Sequence, residues 1–239
     1  MLKIEHLTKK FGTKLAVNNL SLEIEPGQIC AFIGHNGAGK TTTLKACCGI
    51  LSPDEGYILI DGIPLAENPM ECKRRIAYIP DNPDLYDFMS GIKYLTFIAD
   101  VFGIGKEREG RIKELAERLG ITDALASPIS TYSHGMKQKL AIISALVHSP
   151  KLMILDEPFV GLDPKAAVTL KAIMREICDE GGAIFFSTHV LDVAEKLCNK
   201  VAIIKEGRVI VSGNMDEIVK DGDSLESIFM EVAVNAERD

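Results

Sequence analysis

This sequence of 239 residues lacks long apolar runs, and that absence limits what the chain does in a membrane. No stretch approaches the 18 consecutive apolar residues of a transmembrane helix. The longest candidate, from Leu140 to Val147, is short and contains Ser144. The first residues also lack the charged and then apolar pattern of a signal peptide. We therefore expect a cytoplasmic chain that has no membrane span of its own.

The sequence also has fewer basic than acidic residues. Lys and Arg number 27 against 34 Asp and Glu, so the formal net charge is −7 at pH 7. Proteins that coat DNA or RNA carry basic surfaces. We therefore expect no nucleic-acid partner.

The cysteines form no C-x-x-C pair and no other ligand spacing, which weakens a zinc site as an alternative. Most of them lie in apolar surroundings, which predicts buried, reduced thiols. The six are Cys30, Cys47, Cys48, Cys72, Cys178 and Cys198.

The most specific motif fits G-x-x-x-x-G-K-[ST] and reads Gly34-His35-Asn36-Gly37-Ala38-Gly39-Lys40-Thr41. An apolar run of strand length precedes it, and a stretch that begins at Thr42 can form a helix. The glycines let the backbone wrap closely around phosphate oxygens, and the helix N-terminus favours an anion. Lys40 is expected at the β- and γ-phosphates and the Thr41 hydroxyl at Mg²⁺. A purely structural glycine turn does not explain this context, so the motif predicts a nucleoside triphosphate site.

A second motif ends an apolar strand with two adjacent carboxylates, Leu152-Met153-Ile154-Leu155-Asp156-Glu157-Pro158. Strands often end in acidic turns, so this pattern alone is weak. Here the pattern follows a phosphate loop by about the length of a domain, and in that position it indicates catalysis. We expect Asp156 to bind the metal and Glu157 to be the general base that activates water.

Short apolar runs that alternate with helical stretches predict an α/β fold with a parallel sheet covered on both faces. Alternating patterns at Leu2–Leu7 and Leu20–Ile24 predict half-buried antiparallel strands. The predicted division is a catalytic core with a β subdomain in residues 1–84 and 151–213, and a helical subdomain in 85–150. The tail, residues 214–239, is acidic and helix-prone, and no function is assigned to it.

A specific resemblance to a known family comes from the segment Tyr132-Ser133-His134-Gly135-Met136-Lys137-Gln138. The chain resembles the ATP-binding subunit of an ABC transporter, whose signature element lies at a helix N-terminus before the strand with the paired carboxylates. The D-loop of that family is matched by Gly161-Leu162-Asp163, and its switch histidine by His189. The resemblance covers essentially the whole chain. It implies a single RecA-like P-loop NTPase core, with an N-terminal antiparallel β subdomain and an inserted helical subdomain.

The resemblance also implies a mechanism. Two subunits close head to tail around two MgATP, and Ser133 with the backbone near Gly135 holds the γ-phosphate seated on the other subunit. His189 contacts that phosphate and orients water with Glu157, although a lone histidine is more often structural. Phe11 is expected to stack on adenine, with Val17 as a second contact; the alternative for Phe11 is a core residue.

Two positions depart from the family pattern. Asp81 stands where the family has glutamine, and its carboxylate either contacts Mg²⁺ or simply lies in solvent. His134 replaces the first glycine of the signature element and is expected to point away from the nucleotide; the alternative is a direct phosphate contact.

The resemblance favours an ATPase that drives a separate membrane permease from the inner face of the cell membrane, with a second copy of itself or a paralogous ATPase as partner. The helical segment would receive a short cytoplasmic helix of that permease. The alternative is a soluble ABC ATPase that acts on a macromolecular complex. A small-molecule kinase would leave Ser133, Gly135 and His189 unexplained. The sequence of the signature element and the short tail resemble those of ATPase subunits of bacterial ABC-2 exporters.

Overall fold

The computed structural model describes residues 1–220 and 223–235, with side chains up to residue 231, so the predicted tail lies partly outside the described residues. The strands are β1 Leu2–Phe11, β2 Lys14–Ile24, β3 Ile29–Ile33, β4 Glu55–Ile60, β5 Ile63–Pro64, β6 Ile76–Ile79, β7 Leu152–Asp156, β8 Ala183–Thr188, β9 Lys200–Lys205 and β10 Arg208–Asn214. The helices are α1 Lys40–Cys47, α2 Pro69–Arg75, α3 Gly91–Val101, α4 Arg108–Leu119, α5 His134–Leu146, α6 Pro164–Asp179, α7 Leu191–Leu197, α8 Met215–Ile218 and α9 Leu225–Asn235, with short 3₁₀ turns at Thr122–Ala124 and Ile129–Thr131.

The central sheet of the described chain has the strand order β10-β9-β3-β8-β7-β6. The strands from β9 to β6 run parallel, and β10 pairs antiparallel with β9. All residues of β3, β7 and β8 are buried, which explains why these segments are apolar almost throughout. The prediction of an α/β fold with a covered parallel sheet is confirmed.

The two faces of this sheet belong to two different cores. Along β3, Ile29, Ala31 and Ile33 join one core cluster, which also contains residues of α3 to α6. Cys30 and Phe32 point the other way and join a second cluster with α1 and the N-terminal strands. This alternation follows from the two-residue period of a strand. Both layers are therefore anchored on the strand that leads into the phosphate loop.

The N-terminal strands form a smaller antiparallel sheet in the order β2-β1-β4-β5. The antiparallel prediction is confirmed, but both strands extend well beyond the predicted Leu2–Leu7 and Leu20–Ile24. Asn19 has a positive φ of 52°, and the pairing register with β1 shifts near it. Such a bulge changes which side chains point outward. At the candidate site, this bulge determines which side chains of β2 face the cavity.

The helices α3, α4 and α5 follow β6 and precede β7, within the predicted helical segment 85–150. The helix α4 buries Ile112, Leu115, Ala116 and Leu119, the apolar face that its period predicts. Among the described residues, no helix combines the length and apolarity needed to cross a bilayer. All six cysteines are buried and unbridged, as predicted, and burial raises the pKa of the Cys30 thiol to about 12.

Because β3, β7 and β8 are parallel, their carboxyl ends meet at one edge of the sheet. The phosphate loop follows the end of β3, the paired carboxylates lie at the end of β7, and His189 directly follows β8. Ligands of open α/β sheets bind at this kind of edge. The topology therefore brings three motifs that are distant in sequence into one site.

Candidate nucleotide-binding site

The phosphate loop joins the end of β3 to the first residue of α1, as its motif predicts. Gly37 and Gly39 have φ values of 83° and 111°, which side-chain-bearing residues rarely adopt. A Cβ on Gly39 would also lie 2.5 Å from the carbonyl oxygen of Ala16. Glycine is therefore required at this position both for the backbone angle and for the close approach of β2.

Lys40 closes the phosphate-loop motif and brings a cation to the cavity. Its side chain is buried, and Nζ donates hydrogen bonds to the carbonyl oxygens of Gly34 at 2.6 Å and His35 at 3.2 Å. Burial lowers the pKa of Lys40 from its ordinary value, while the carboxylates of Glu157 and Asp156 oppose that shift. The ammonium group is thus held at the loop by backbone carbonyls.

Asp156 is buried and lies at the centre of a chain of hydrogen bonds. Its Oδ2 accepts a hydrogen bond of 2.7 Å from the Thr41 hydroxyl, and its Oδ1 accepts one of 2.5 Å from Ser187. Ser187 Oγ in turn accepts a hydrogen bond of 3.0 Å from the backbone N–H of Glu157. The carboxylate of Asp156 is therefore fixed beside the start of α1 by the ends of two strands.

Glu157 and His189 form a pair at the mouth of the site. His189 Nδ1 lies 3.0 Å from Glu157 Oε2, and the side chain of His189 is 62% exposed against 14% for Glu157. Glu157 has a φ of 47°, an uncommon conformation for a residue with a side chain. The geometry places a carboxylate and an imidazole together where a cavity opens beside the phosphate loop.

A cavity of about 290 Å³ opens over the phosphate loop, and a neighbouring cavity of about 500 Å³ adjoins it on the side of His189. The first is lined by Phe11, Lys14, Ala16, Asn36, Gly37, Gly39, Lys40, Thr41, Thr42, Asp81, Asp156 and Glu157. The second is lined by Ile33, Gly34, His35, Asn36, Asp81, Glu157, Val160, His189, Leu191 and Phe229. Ala38 is buried and lines neither cavity. Asp81 is exposed and borders both.

Phe11 ends β1 half exposed at the rim of the first cavity, so it is not a core residue. Val17, predicted as a second adenine contact, is fully buried in the core, and Ala16 lines the cavity instead. Leu20, Leu22 and Ile24 point inward. The bulge at Asn19 shifts the phase of β2 by one residue, so Val17 points inward as well and Ala16 outward. The prediction for Val17 is corrected accordingly.

The signature element lies apart from both cavities. Ser133 is the exposed N-cap of α5, and its Oγ accepts the backbone N–H of Met136 at 3.3 Å. Neither Ser133 nor Gly135 lines the phosphate-loop cavity of its own chain. His134 packs against the D-loop, since a Cβ on Gly161 would lie 2.4 Å from its Cδ2. Its ring therefore rests on the D-loop backbone in this structure.

The residues at the site that escaped prediction include Ala16, Phe229 and Ser187. The position of Ala16 at the first cavity depends on the bulge in β2. The position of Phe229 at the second cavity depends on how the C-terminal helix α9 packs. Ser187 had a readable signal, because a polar residue near the end of an otherwise apolar strand needs a hydrogen-bond partner when buried. The prediction for this segment concerned His189 alone.

Comparisons with known proteins agree with this geometry. The family model described as ABC transporter matches residues 17–160, more than half of the chain. The ABC transporter ATP-binding protein YxlF of Bacillus subtilis is 39% identical over 219 residues, covering 91% of this chain and 72% of its own length. The ABC-type transporter ATP-binding protein EcsA of the same organism is 34% identical over 238 residues, covering 97% and 96%.

Solved structures give the same result. A structure of the ATP binding subunit of an ABC transporter is 35% identical and superposes with a TM-score of 0.93 over 98% of this chain and 99% of its own. The structure of cbiO1 from Clostridium perfringens, part of the ABC transporter complex cbiONQ, is 30% identical, with a TM-score of 0.78 over 98% and 94% of the two chains. The cassette MJ0796, solved as a dimer bound to ADP and Pi, shares the fold at 22% identity and a TM-score of 0.81, over 90% of this chain and 99% of its own.

The Ser187 contacts generate a prediction on stability. Ser187→Ala removes the hydroxyl that joins Asp156 to the backbone of Glu157 and leaves buried polar groups without partners. The free energy of unfolding should fall by about 1–3 kcal/mol in a denaturant titration. Ser130→Ala is the matched control, because Ser130 is exposed, and a change within about 0.5 kcal/mol is expected. Equal losses in the two variants would contradict a special role for Ser187.

Proposed function

Because this chain belongs to the ABC transporter family of ATP-binding subunits, we propose that two copies close head to tail around two MgATP and that hydrolysis drives a separate membrane permease. The chain is an ATPase of this family. One observation carries the head-to-tail arrangement: the exposed signature element borders neither phosphate-loop cavity of its own chain. The anion-binding end of α5 is thus available to nucleotide on another subunit.

ATP is proposed to bind in the cavity over the phosphate loop. The backbone from Gly34 to Thr42 would surround the phosphates, and Lys40 would exchange its carbonyl partners for phosphate oxygens. The rim residue Phe11 would stack on adenine, with Ala16 beside it. Phe11, Ala16, Lys40 and most of the loop border the same cavity.

Mg²⁺ fits the donor set beside the loop. The hydroxyl of Thr41 and the carboxylate of Asp156 lie 2.7 Å apart, and oxygen ligands of this kind suit magnesium. A bound Mg²⁺ would neutralise part of the phosphate charge. Asp81 borders the same cavity with its carboxylate exposed, which supports a contact to the metal or to its water shell. We assign Thr41, Asp156 and Asp81 to this site.

Glu157 is proposed as the general base and His189 as its orienting partner. A carboxylate can accept the proton of an attacking water, provided that it is held within hydrogen-bond reach of that water. The bond from the Glu157 N–H to Ser187 fixes its backbone, and His189 fixes one carboxylate oxygen. The exposed edge of the imidazole faces the cavity, where it can contact the γ-phosphate.

Ser133 and Gly135 are proposed to complete the site of the opposite subunit. The N-terminus of α5 offers free backbone N–H groups and a positive dipole end, the device also used by the phosphate loop. His134 rests on Gly161, so it does not obstruct this end. The dimeric state of the cassette MJ0796 is a property of that protein, and it supports the same assembly here by analogy.

An exposed aromatic surface on the helical segment supports a permease as partner. Tyr86, Phe88 and Phe97 cluster there, and Phe88 is 86% exposed. Aromatic side chains that stay exposed together are typical of protein interaction sites. The neighbour cbiO1 is part of a transporter complex, which supports the same kind of partner here.

Several finer points of the proposal rest on sequence alone. The subdomain limits at residues 84, 150 and 213 follow the predicted division. Location at the inner face of the cell membrane follows from a permease partner. Export is proposed because the signature element resembles that of ABC-2 exporters in its sequence, Tyr132-Ser133-His134-Gly135-Met136. Cargo specificity belongs to the permease rather than to this chain.

Binding at the phosphate loop is tested with Lys40→Ala. The phosphates lose their nearest cation, while the loop backbone and the fold remain. Calorimetric titration with MgATP should show no measurable tight binding, and circular dichroism should show an intact fold. A folded variant with wild-type affinity would exclude this site.

The dimer mechanism is tested with Glu157→Gln, which keeps a hydrogen-bonding side chain but cannot accept a proton. Hydrolysis should fall by about 10²–10⁴-fold. Loss of negative charge beside the γ-phosphate should also favour the closed state, so ATP-bound dimer should accumulate in size-exclusion chromatography. Adding Ser133→Arg should abolish that dimer, and Ser144→Ala in its place should not. Normal hydrolysis, or a dimer that tolerates Ser133→Arg, would contradict the assigned roles.

The permease partner is tested by affinity purification of the tagged chain from detergent-solubilised membranes of its own cells. A polytopic membrane protein should co-purify in stoichiometric amount and should be lost with Phe88→Asp, because a charge in an apolar contact is costly to desolvate. The control is Val168→Asp, another exposed apolar site, on α6. Ribosomes or a soluble complex in place of a membrane protein would instead favour the soluble ATPase.

A further inference from the structure

The C-terminal helix α9 packs beside the nucleotide site. Leu225 at its start is fully buried, and the backbone N–H of Leu225 donates a 2.9 Å hydrogen bond to the Glu195 carboxylate of α7. The next turn packs Ile228 and Phe229 against the main core cluster. The helix α7 begins two residues after His189. Hence α9 is anchored on the element that directly follows the switch histidine.

Phe229 carries α9 into contact with the phosphate loop. Its ring centroid lies 5.0 Å from that of His35, with the planes inclined by 49°. The same ring forms a wall of the cavity that contains Asp81, Glu157 and His189. Phe229 is half buried in this position, whereas its neighbour Met230 is 55% exposed.

His35 itself is exposed, and its carbonyl oxygen is one of the two that hold Lys40. Among the described contacts, its imidazole makes ring contact with Phe229 alone. The loop around it contains glycines at positive φ and is therefore poorly restrained by its own sequence. A loop that must be ordered when ligand binds loses affinity, and a loop that is held beforehand does not.

We propose that Phe229 is a positioning residue for the phosphate loop: its ring braces His35 and holds the loop in the conformation that receives the phosphates of ATP. This inference rests on the proposed role of the loop as the nucleotide site. It gives the C-terminal helix a function in nucleotide affinity. The chemical step is untouched, because Phe229 has no group that can take part in it.

The size of the effect follows from the contact. Aromatic pairs contribute an amount that corresponds to about 2- to 10-fold in an equilibrium constant. Phe229→Ala in the full chain should therefore raise the Kd for MgATP in calorimetric titration, and the KM for ATP, by about that factor. The kcat at saturating ATP should stay within about twofold of wild type. Phe229→Tyr keeps the ring and should restore affinity, and Met230→Ala, one residue further along α9, should leave it unchanged.

A double-mutant cycle with His35 separates bracing from general destabilisation. His35→Ala removes the other half of the contact from an exposed position, so it should weaken binding as much as Phe229→Ala without disturbing the fold. The double variant should then bind no more weakly than either single one. Additive losses, wild-type affinity in Phe229→Ala, or an equal loss in Met230→Ala would overturn the proposal. Lys40→Ala is measured alongside: retained binding in that variant refutes the nucleotide site itself, whereas abolished binding with an unaffected Phe229→Ala refutes only the bracing role.

Discussion

The hydrogen-bond chain from Thr41 through Asp156 to Ser187 is the constraint on which the rest of the site depends. It joins the first turn of α1 to the ends of β7 and β8, and its hydroxyl donors satisfy both carboxylate oxygens of Asp156. A buried carboxylate without partners would be costly, so these contacts set the spacing between the phosphate loop and the paired carboxylates. Through the Ser187 hydroxyl the same chain fixes the backbone of Glu157. The fold thus fixes the phosphate loop and the paired carboxylates relative to each other at one sheet edge.

The proposed second half of the active site is the signature element at the start of α5, which lines neither phosphate-loop cavity of its own chain. The signature end of α5 is tied to the D-loop at two points, by His134 on Gly161 and by the 2.6 Å ion pair of Lys139 with Asp163. That pair also holds the pKa of Asp163 below its usual range, together with the N-cap bond from Ala166. Gly161 of the D-loop lies four residues after Glu157, the proposed general base, so a ligand bound at Ser133 would be linked through the D-loop to the segment that carries Glu157. This linkage gives a physical reason why nucleotide bound between two subunits could be hydrolysed more readily than nucleotide on one.

The sequence predicted the fold and most of the candidate residues that the structure brings together at one sheet edge, because the strongest signals are local. The glycine spacing of the phosphate loop, the buried strand before Asp156 and the cap Asp163-Pro164 of α6 each specify their own backbone. Val17 was misplaced because a single left-handed residue, Asn19, inverts the phase of β2. The contact of Phe229 with His35 could not be predicted, since it depends on tertiary packing between segments at opposite ends of the chain. Ser187 was visible as a polar residue in an apolar strand, but its partner became identifiable only from the pairing of β7 with β8.

The central claim is that each active site is built from two subunits, and a structure of the Glu157→Gln protein with MgATP tests it most directly. The account predicts two nucleotides at the interface of a symmetric dimer. Each should have its phosphates on the loop that contains Lys40 and its γ-phosphate in contact with Ser133 of the other subunit. A nucleotide seated on the phosphate loop with no second subunit at its γ-phosphate, in protein that is saturated with MgATP, would contradict it.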